Sequence, residues 1–418
     1  MPTHHPPLFV LYVPALDRRR VSAEHTPFVC DLLGRFPEVE LRTLPTTELL
    51  PTMITGVLPH QHHVWQVSLD PNRRTTPLDR VLDRLPDFVT TTAQCVRQAL
   101  DSSYDLAAIP RWRRRQFVLH RMKYTRRVAD GLGVLANIGG FPSLFALVEG
   151  SQYHFAKTFD EAAAMVDELP RDNCRFAFFE HYALDLYSHW NLDHPEDVLA
   201  KAAIVDGHAR RLYERCSERG VRFALLVDHG QEAVRKQVDV RAAIEAAGVP
   251  REELLYFLEV AVGRLWFFSD RARREVVARL RDVPGLHVLH RTEMHDYGVR
   301  FEDDTFGEYY LIADHGTTFF PHDFYQPLAN LYMSWKIPGH RTRRGNPVHR
   351  GYHGQLPTHP SERGYLAIAD DTLERRQAEA ELTDIAPTVL DLLGVAPPAH
   401  MRGRPVYRHH DPAAVAAP

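Results

Sequence analysis

The most constraining feature of this chain is a strand, helix and strand in direct succession between residues 175 and 227. Arg175–His181 and Val221–Val227 are short and almost continuously apolar, as strands covered on both faces must be. Between them, Val198–Arg219 places its apolar residues at helical spacing, and Gly220 stops it. Such a unit requires parallel pairing in an open sheet. The same patterning predicts strands over Leu8–Val13, Glu38–Thr43 and Tyr309–Ala313, and a helix over Phe28–Leu33 entered through Thr26-Pro27. Further helices are expected over Pro77–Leu100, Phe159–Leu169, Val240–Ala247 and within Leu382–Leu393. Leu254–Phe268, Ser269–Leu280 and Leu286–Leu289 read as a smaller strand–helix–strand unit, and His340–Arg363 as a loop. The expected fold class is α/β, a central and mostly parallel sheet with helices on both faces.

Size and charge narrow the function. At 418 residues the chain suits two or three domains or one large α/β unit. A net charge of -4 argues against bulk nucleic-acid binding, which needs a basic footprint. Cys30, Cys95, Cys174 and Cys216 lie far apart with no CxxC pair, against a zinc knuckle or a disulfide-dense fold. The first twenty residues lack the basic region of a signal peptide, and no run approaches about 20 apolar residues, so no membrane span and a cytoplasmic location are expected.

Twenty-five histidines direct attention to those beside aspartate at strand ends. Asp185-x-x-x-His189 follows the strand Arg175–His181, and Asp228-His229-Gly230 follows Val221–Val227. Ligands in open α/β sheets bind beyond the carboxyl ends of strands, and imidazole with carboxylate suits a zinc-like cation. Gly230 is expected to let the chain turn sharply so that both preceding side chains face one point. For one isolated pair, the plainer explanation is a helix-capping Asp and an exposed His; two pairs on successive strands weaken it. His353 sits in a Gly-rich loop and is weak alone. Asp314-His315-Gly316 repeats the triplet after Tyr309–Ala313, so spacing does not exclude it. Thr46, Thr47, Thr52 and Thr55 offer hydroxyls that become nucleophilic when a base or metal takes the proton, or else cap a strand-to-helix turn.

Taken together, these motifs resemble the alkaline phosphatase superfamily, in its type I phosphodiesterase and nucleotide pyrophosphatase branch. PTTELLPTMITGVLPHQHHVW is similar to the nucleophile segment, ALDLYSHW and LLVDHGQE to the two metal motifs, and Thr383–Val406 to the closing helix, in the family's order. The resemblance implies an alkaline-phosphatase-like catalytic domain over 1–406, with cap-like insertions at about 66–170 and 240–340 and a disordered tail at 407–418. It implies two divalent cations, zinc first and manganese as the alternative. Asp185, His189 and His353 would hold one, and Asp228 and His229 the other. Thr46 falls at the nucleophile position, with Thr47 as runner-up because Glu48 stands where the family has proline. Asp314-His315 falls at an ordinary strand end and receives no metal role.

The family's first strand ends in an aspartate that completes the second cation site; here that position is Pro14, with Asp17 or Glu48 as substitutes. The implied activity is hydrolysis of a phosphodiester or pyrophosphate bond in a small phosphorylated substrate, such as a nucleotide derivative, through a phospho-enzyme intermediate. A phosphomonoesterase, or a catalytically silent binding module motivated by Pro14, stands as the alternative. No cysteine occupies the sulfatase position. The basic stretch Arg111–Arg127, with Trp112 and Tyr124, is either a phosphate or nucleic-acid site or a solvated helix face.

Overall fold

The computed structural model describes residues 5–72, 74–100, 107–119, 135–336 and 338–410. A seven-stranded sheet runs in the order Glu379–Glu381, Glu38–Arg42, Arg363–Ala369, Arg222–Val227, Leu8–Tyr12, Phe176–His181, Ser151–Ala156. Leu8–Tyr12 lies at its centre, parallel to both Phe176–His181 and Arg222–Val227. Only Arg363–Ala369 runs antiparallel to its neighbours.

Side-chain alternation along the central strands divides the core. Leu8, Val10, Phe176, Phe178, Ala224 and Leu226 pack on one face, with the helices Leu50–Thr55 and Ile385–Leu392. Phe9, Leu11, Ala177, Phe179, Phe223 and Leu225 pack on the other, with Pro27–Arg35, Phe159–Val166 and Pro195–Glu218. Burial on both faces is why these strands read as unbroken apolar runs.

Four expectations change. Pro77–Leu100 is two helices, Pro77–Leu82 and Asp87–Leu100, because Pro86 lacks an N–H and restricts Leu85. Ser151–Ala156, inside the expected first insertion, is the edge strand of the main sheet, and its half-buried residues carry no continuous apolar run. Leu254–Phe268 is a hairpin of Leu254–Leu258 and Val262–Phe267, and with Tyr309–Ala313 and Leu286–His290 it makes a separate four-stranded antiparallel sheet. At the C-terminal end, Tyr407–His409 pairs with Leu373–Arg375, and the buried Tyr407 hydroxyl donates to the Pro37 and Leu366 carbonyls. Order therefore extends past 406, while 411–418 lie outside the described residues.

No helix among the described residues is long and apolar enough to cross a membrane. All four cysteines are free thiols.

Candidate active site

Two parallel strands flanking the central one open at the same sheet edge, and each delivers one Asp/His pair. Phe176–His181 leads into the helix Ala183–Asn191, where Asp185 and His189 stand one turn apart on a single face. Nε2 of His189 lies 3.4 Å from Oδ2 of Asp185. Arg222–Val227 ends at Asp228 and His229, whose Nε2 lies 3.2 Å from Oδ2 of Asp228. The chain then pairs Glu232–Ala233 with Gly351–Tyr352, and this short ladder brings His353 home. The His353 ring stacks on His229 with centroids 3.5 Å apart, and its Nε2 lies 3.6 Å from Oδ1 of Asp185.

Asp185, His189 and His353 can hold a metal ion: one ligand atom from each lies within 4.8 Å of the others. Three features of the surroundings fit a cation there. Asp185 is 1% exposed, and its Oδ2 has no hydrogen-bond partner among the described residues. His189 Nδ1 lies 2.9 Å from the Gly351 carbonyl, and His229 Nδ1 lies 2.8 Å from the Gly230 carbonyl. Each Nδ1–H donating to a carbonyl leaves Nε2 as the ligating nitrogen. Gln231 Nε2 donates to Oδ1 of Asp185 at 2.7 Å, which fixes the carboxylate plane.

The electrostatics point the same way. Burial opposes ionisation of Asp185, yet His189, His353 and His229 together hold it far below the usual carboxylate range. Asp228 is raised by burial, partly offset by His229 and by the Tyr12 hydroxyl, which donates to its Oδ2 at 2.6 Å. Burial pushes Glu180 up to about 8; the Tyr153 hydroxyl bond opposes the shift, and the charges of Asp228, Asp185 and Glu48 add to it. Glu362 is likewise pushed up to about 8 by burial, against two backbone N–H bonds from Gly354 and Gln355. Carboxylates gathered this densely in a buried edge need a compensating positive charge.

Thr46 is buried, and its Oγ1 accepts the Glu48 N–H at 3.1 Å. It is not a helix cap, because the helix Leu50–Thr55 is entered through Leu49 with no side-chain cap. Thr47 Oγ1 accepts from Gln66 Nε2 at 2.6 Å. Thr52 is bonded to His62 and Thr55 to the Pro51 carbonyl, so both hydroxyls are used internally. The Thr46–Thr47 backbone packs on Gly354, beside His353: a Cβ built on Gly354 would lie 3.2 Å from Thr46 C and from Thr47 Cγ2.

Two features of this edge come from the tertiary structure. Gly230 turns the chain without a left-handed φ. Glycine is needed there because the Asp17 carboxyl occupies the space, 2.5 Å from where a Cβ would sit. Asp17 is therefore next to the Asp228–His229 turn, but it is engaged by Arg19, with Nη2 at 2.6 Å and Nε at 3.0 Å, and Arg20 lies at 3.8 Å. Its carboxylate is paired with guanidinium. Asp314 pairs with His287 at 2.7 Å on the separate antiparallel sheet, and His315 bonds the Leu356 carbonyl.

The described arginines of the basic stretch are also used internally. Arg111 pairs with Asp79, Arg113 with Asp323, and Arg115 with Asp83, while Arg114 donates to the Phe117 carbonyl. Tyr124 lies outside the described residues.

Sequence reasoning missed Tyr12, Glu180, Gln231 and Glu362. Tyr12 and Glu180 carried a signal, as polar groups near the ends of otherwise apolar strands, opposite each other in register. Glu362 carried none.

No protein-family model and no curated protein sequence matches the chain. Solved structures do. Murine ectonucleotide pyrophosphatase/phosphodiesterase 5 aligns with a TM-score of 0.56 at 13% identity, covering 98% of this chain and 98% of that one. An inactive threonine-to-alanine form of the murine protein in complex with AMP gives 0.57 at 13% identity, covering 94% and 96%. The human protein gives 0.55 at 12% identity, covering 95% and 97%. The resemblance read from the motifs thus holds at the level of architecture: this chain is built on the alkaline-phosphatase-like fold of the nucleotide pyrophosphatase/phosphodiesterases.

Proposed function

We propose that the chain is a metal-dependent hydrolase that cleaves a phosphodiester or pyrophosphate bond with the Thr46 hydroxyl as nucleophile. The observation that carries this reading is the convergence of Asp185, His189 and His353, from two distant segments, on ligand atoms within 4.8 Å of one another. In this reading those three residues hold one divalent cation and Asp228 with His229 holds a second, zinc first and manganese as the alternative. Cations bound there supply Lewis-acid polarisation of a phosphoryl oxygen and lower the pKa of a bound hydroxyl or water.

Thr46 attacks phosphorus in line, its oxygen displaces the leaving oxygen, and water then hydrolyses the phospho-threonine ester. The Glu48 N–H that donates to Thr46 Oγ1 orients that oxygen and favours charge on it. Gln231 and the Gly351 carbonyl keep Asp185 and His189 in their ligating orientations. The AMP held by the murine structural neighbour supports a nucleotide derivative as substrate. Pro14 favours a second reading, a catalytically silent relative that binds such a ligand without turnover.

Bound-metal analysis and hydrolysis of a nitrophenyl phosphodiester, beside the nitrophenyl monoester, separate the readings. The expected result is two equivalents of metal, preference for the diester, turnover at background in Thr46→Ala, and retained turnover in Thr47→Ala. Full activity in both variants removes the threonine assignment. Bound metal with no turnover of either ester supports the silent relative.

A further inference from the structure

We propose that the outward faces of the helices Asp87–Leu100 and Pro327–Lys336 form a docking surface for an anionic lipid bilayer, on which the chain lies without crossing it. The inference stands apart from the cation-dependent reading above and uses none of its residues.

The larger apolar side chains of Pro327–Lys336 face away from the body of the protein. Its buried side is Ala329, Asn330, Met333 and Ser334. The opposite side holds Leu328, Leu331, Tyr332 and Trp335 at the i, i+3, i+4 and i+7 spacing of one helix face, and all are exposed, Trp335 by 74%. Asp87–Leu100 packs alongside. Cys95 and Ala99 share an apolar cluster with Ala329 and Met333, and Gln326 Nε2 donates to the Thr92 hydroxyl at 2.8 Å. With Thr91 and Gln98 turned inward and Thr92, Cys95 and Ala99 toward the neighbouring helix, the helical period carries Val89, Val96 and Leu100 outward, where all three are exposed. The two apolar faces therefore lie side by side, and an exposed apolar surface of this kind marks an interaction site.

Charge selects the partner. Residues 327–344 hold four basic side chains and no Asp or Glu. Nζ of Lys336 lies 5.6 Å from the centroid of the Tyr332 ring, and Cζ of Arg344 lies 5.6 Å from that of Trp335, so positive charge sits on the aromatic residues of the surface. Arg341 is exposed in the same turn. Ahead of the other helix, Asp79 and Asp83 are paired with Arg111 and Arg115, while Arg80 and Arg84 are exposed. Trp and Tyr settle at the headgroup level of a bilayer, aliphatic side chains just beneath it, and Lys and Arg reach the anionic headgroups. A second copy of the chain fits worse, because a two-fold face would bring this basic cluster onto itself.

The surface is joined to the candidate site. In the turn Pro338–Arg344, the Thr342 hydroxyl donates to the Trp190 carbonyl at 3.1 Å, and the Arg343 guanidinium lies 4.2 Å from the centroid of the Trp190 ring. Trp190 follows His189 on the helix Ala183–Asn191.

The test uses the full chain and co-sedimentation with vesicles. At about 0.1 M salt, wild type is expected to pellet with phosphatidylcholine vesicles containing about 30% phosphatidylserine, and to partition about tenfold more weakly onto phosphatidylcholine alone. Leu331→Ser/Trp335→Ser and, separately, Lys336→Glu/Arg341→Glu are each expected to lower partition onto the anionic vesicles by about tenfold. Ile204→Ser, at an exposed apolar position on the helix Pro195–Glu218, is the control and should change nothing. All the substituted side chains are exposed, and unfolding midpoints equal to wild type show that the variants are folded. A wild type that stays in the supernatant, equal partition onto the two kinds of vesicle, or wild-type partition in either double variant overturns the proposal. So does a wild-type dimer in sedimentation equilibrium that Leu331→Ser/Trp335→Ser dissociates, because a second copy then covers the face.

Discussion

Gly354→Ala tests whether the nucleophile segment really closes on the metal loop. Gly354 has φ of +88°, where an L side chain costs about 1–2 kcal/mol. The new methyl would also sit 3.2 Å from Thr46 C, 3.2 Å from Thr47 Cγ2 and 3.3 Å from Thr46 O. Two of those three atoms are backbone, so the segment as a whole must retreat by a few tenths of an ångström. Overpacking of this kind adds about 1 kcal/mol or more. The total is about 2–3 kcal/mol. At about 2.1 cal/mol/K per residue, 418 residues have an unfolding entropy near 0.9 kcal/mol/K, so Tm falls by about 2–3 °C.

The larger effect falls on chemistry. Displacing Thr46 from His353 by a third to a half of an ångström is expected to lower kcat about tenfold, given that a 1 Å error costs about a hundredfold. Scanning calorimetry and diester hydrolysis read the two effects. Gly345→Ala, where a Cβ meets nothing within 4 Å and φ is not positive, is the control and should shift neither. If Gly354→Ala matches the control in both Tm and kcat, the Thr46 backbone does not rest on the His353 loop and the site as described is wrong.

Two further outcomes are expected. Tyr12→Phe removes the hydroxyl that donates to Oδ2 of Asp228, and should weaken cation binding at that site by about 10–100-fold in calorimetry; unchanged affinity would show that the bond does not orient a ligand. Burial pushes His62, His181 and His322 down to about 3, so between pH 6.5 and 3 the unfolded chain binds protons that the folded chain does not. Stability is then complete above about pH 6.5 and falls on acidification by about 1.4 kcal/mol per pH unit for each histidine. Urea midpoints in EDTA at pH 7 and pH 5 check this, and a flat profile counts against all three being buried and neutral.

Much of the fold was legible because its signals are local. A strand covered on both faces must be apolar throughout, so Leu8–Tyr12, Phe176–His181 and Arg222–Val227 stand out. Ser151–Ala156 is an edge strand whose residues are half-buried, and nothing in its pattern marks it. The mostly apolar run Leu254–Phe268 is a hairpin whose turn buries Glu259, ion-paired with Arg264 at 2.9 Å. The basic stretch reads in sequence as either a binding site or a solvated helix face, because the acidic partners of its described arginines, Asp79, Asp83 and Asp323, come from other segments.

By itself, the sequence determined the order of the central strands' chemistry and the two Asp/His pairs. Both members of each pair lie within four residues, and a helical turn or a strand end suffices to bring them together. Only the tertiary structure decided which other groups join them. His353 arrives through the pairing of Glu232–Ala233 with Gly351–Tyr352, Asp17 pairs with Arg19, and Gly230 is needed for the Asp17 carboxyl. The reason is physical: contacts between segments more than a hundred residues apart are set by which strands are neighbours in the sheet, and no local pattern of side chains specifies that.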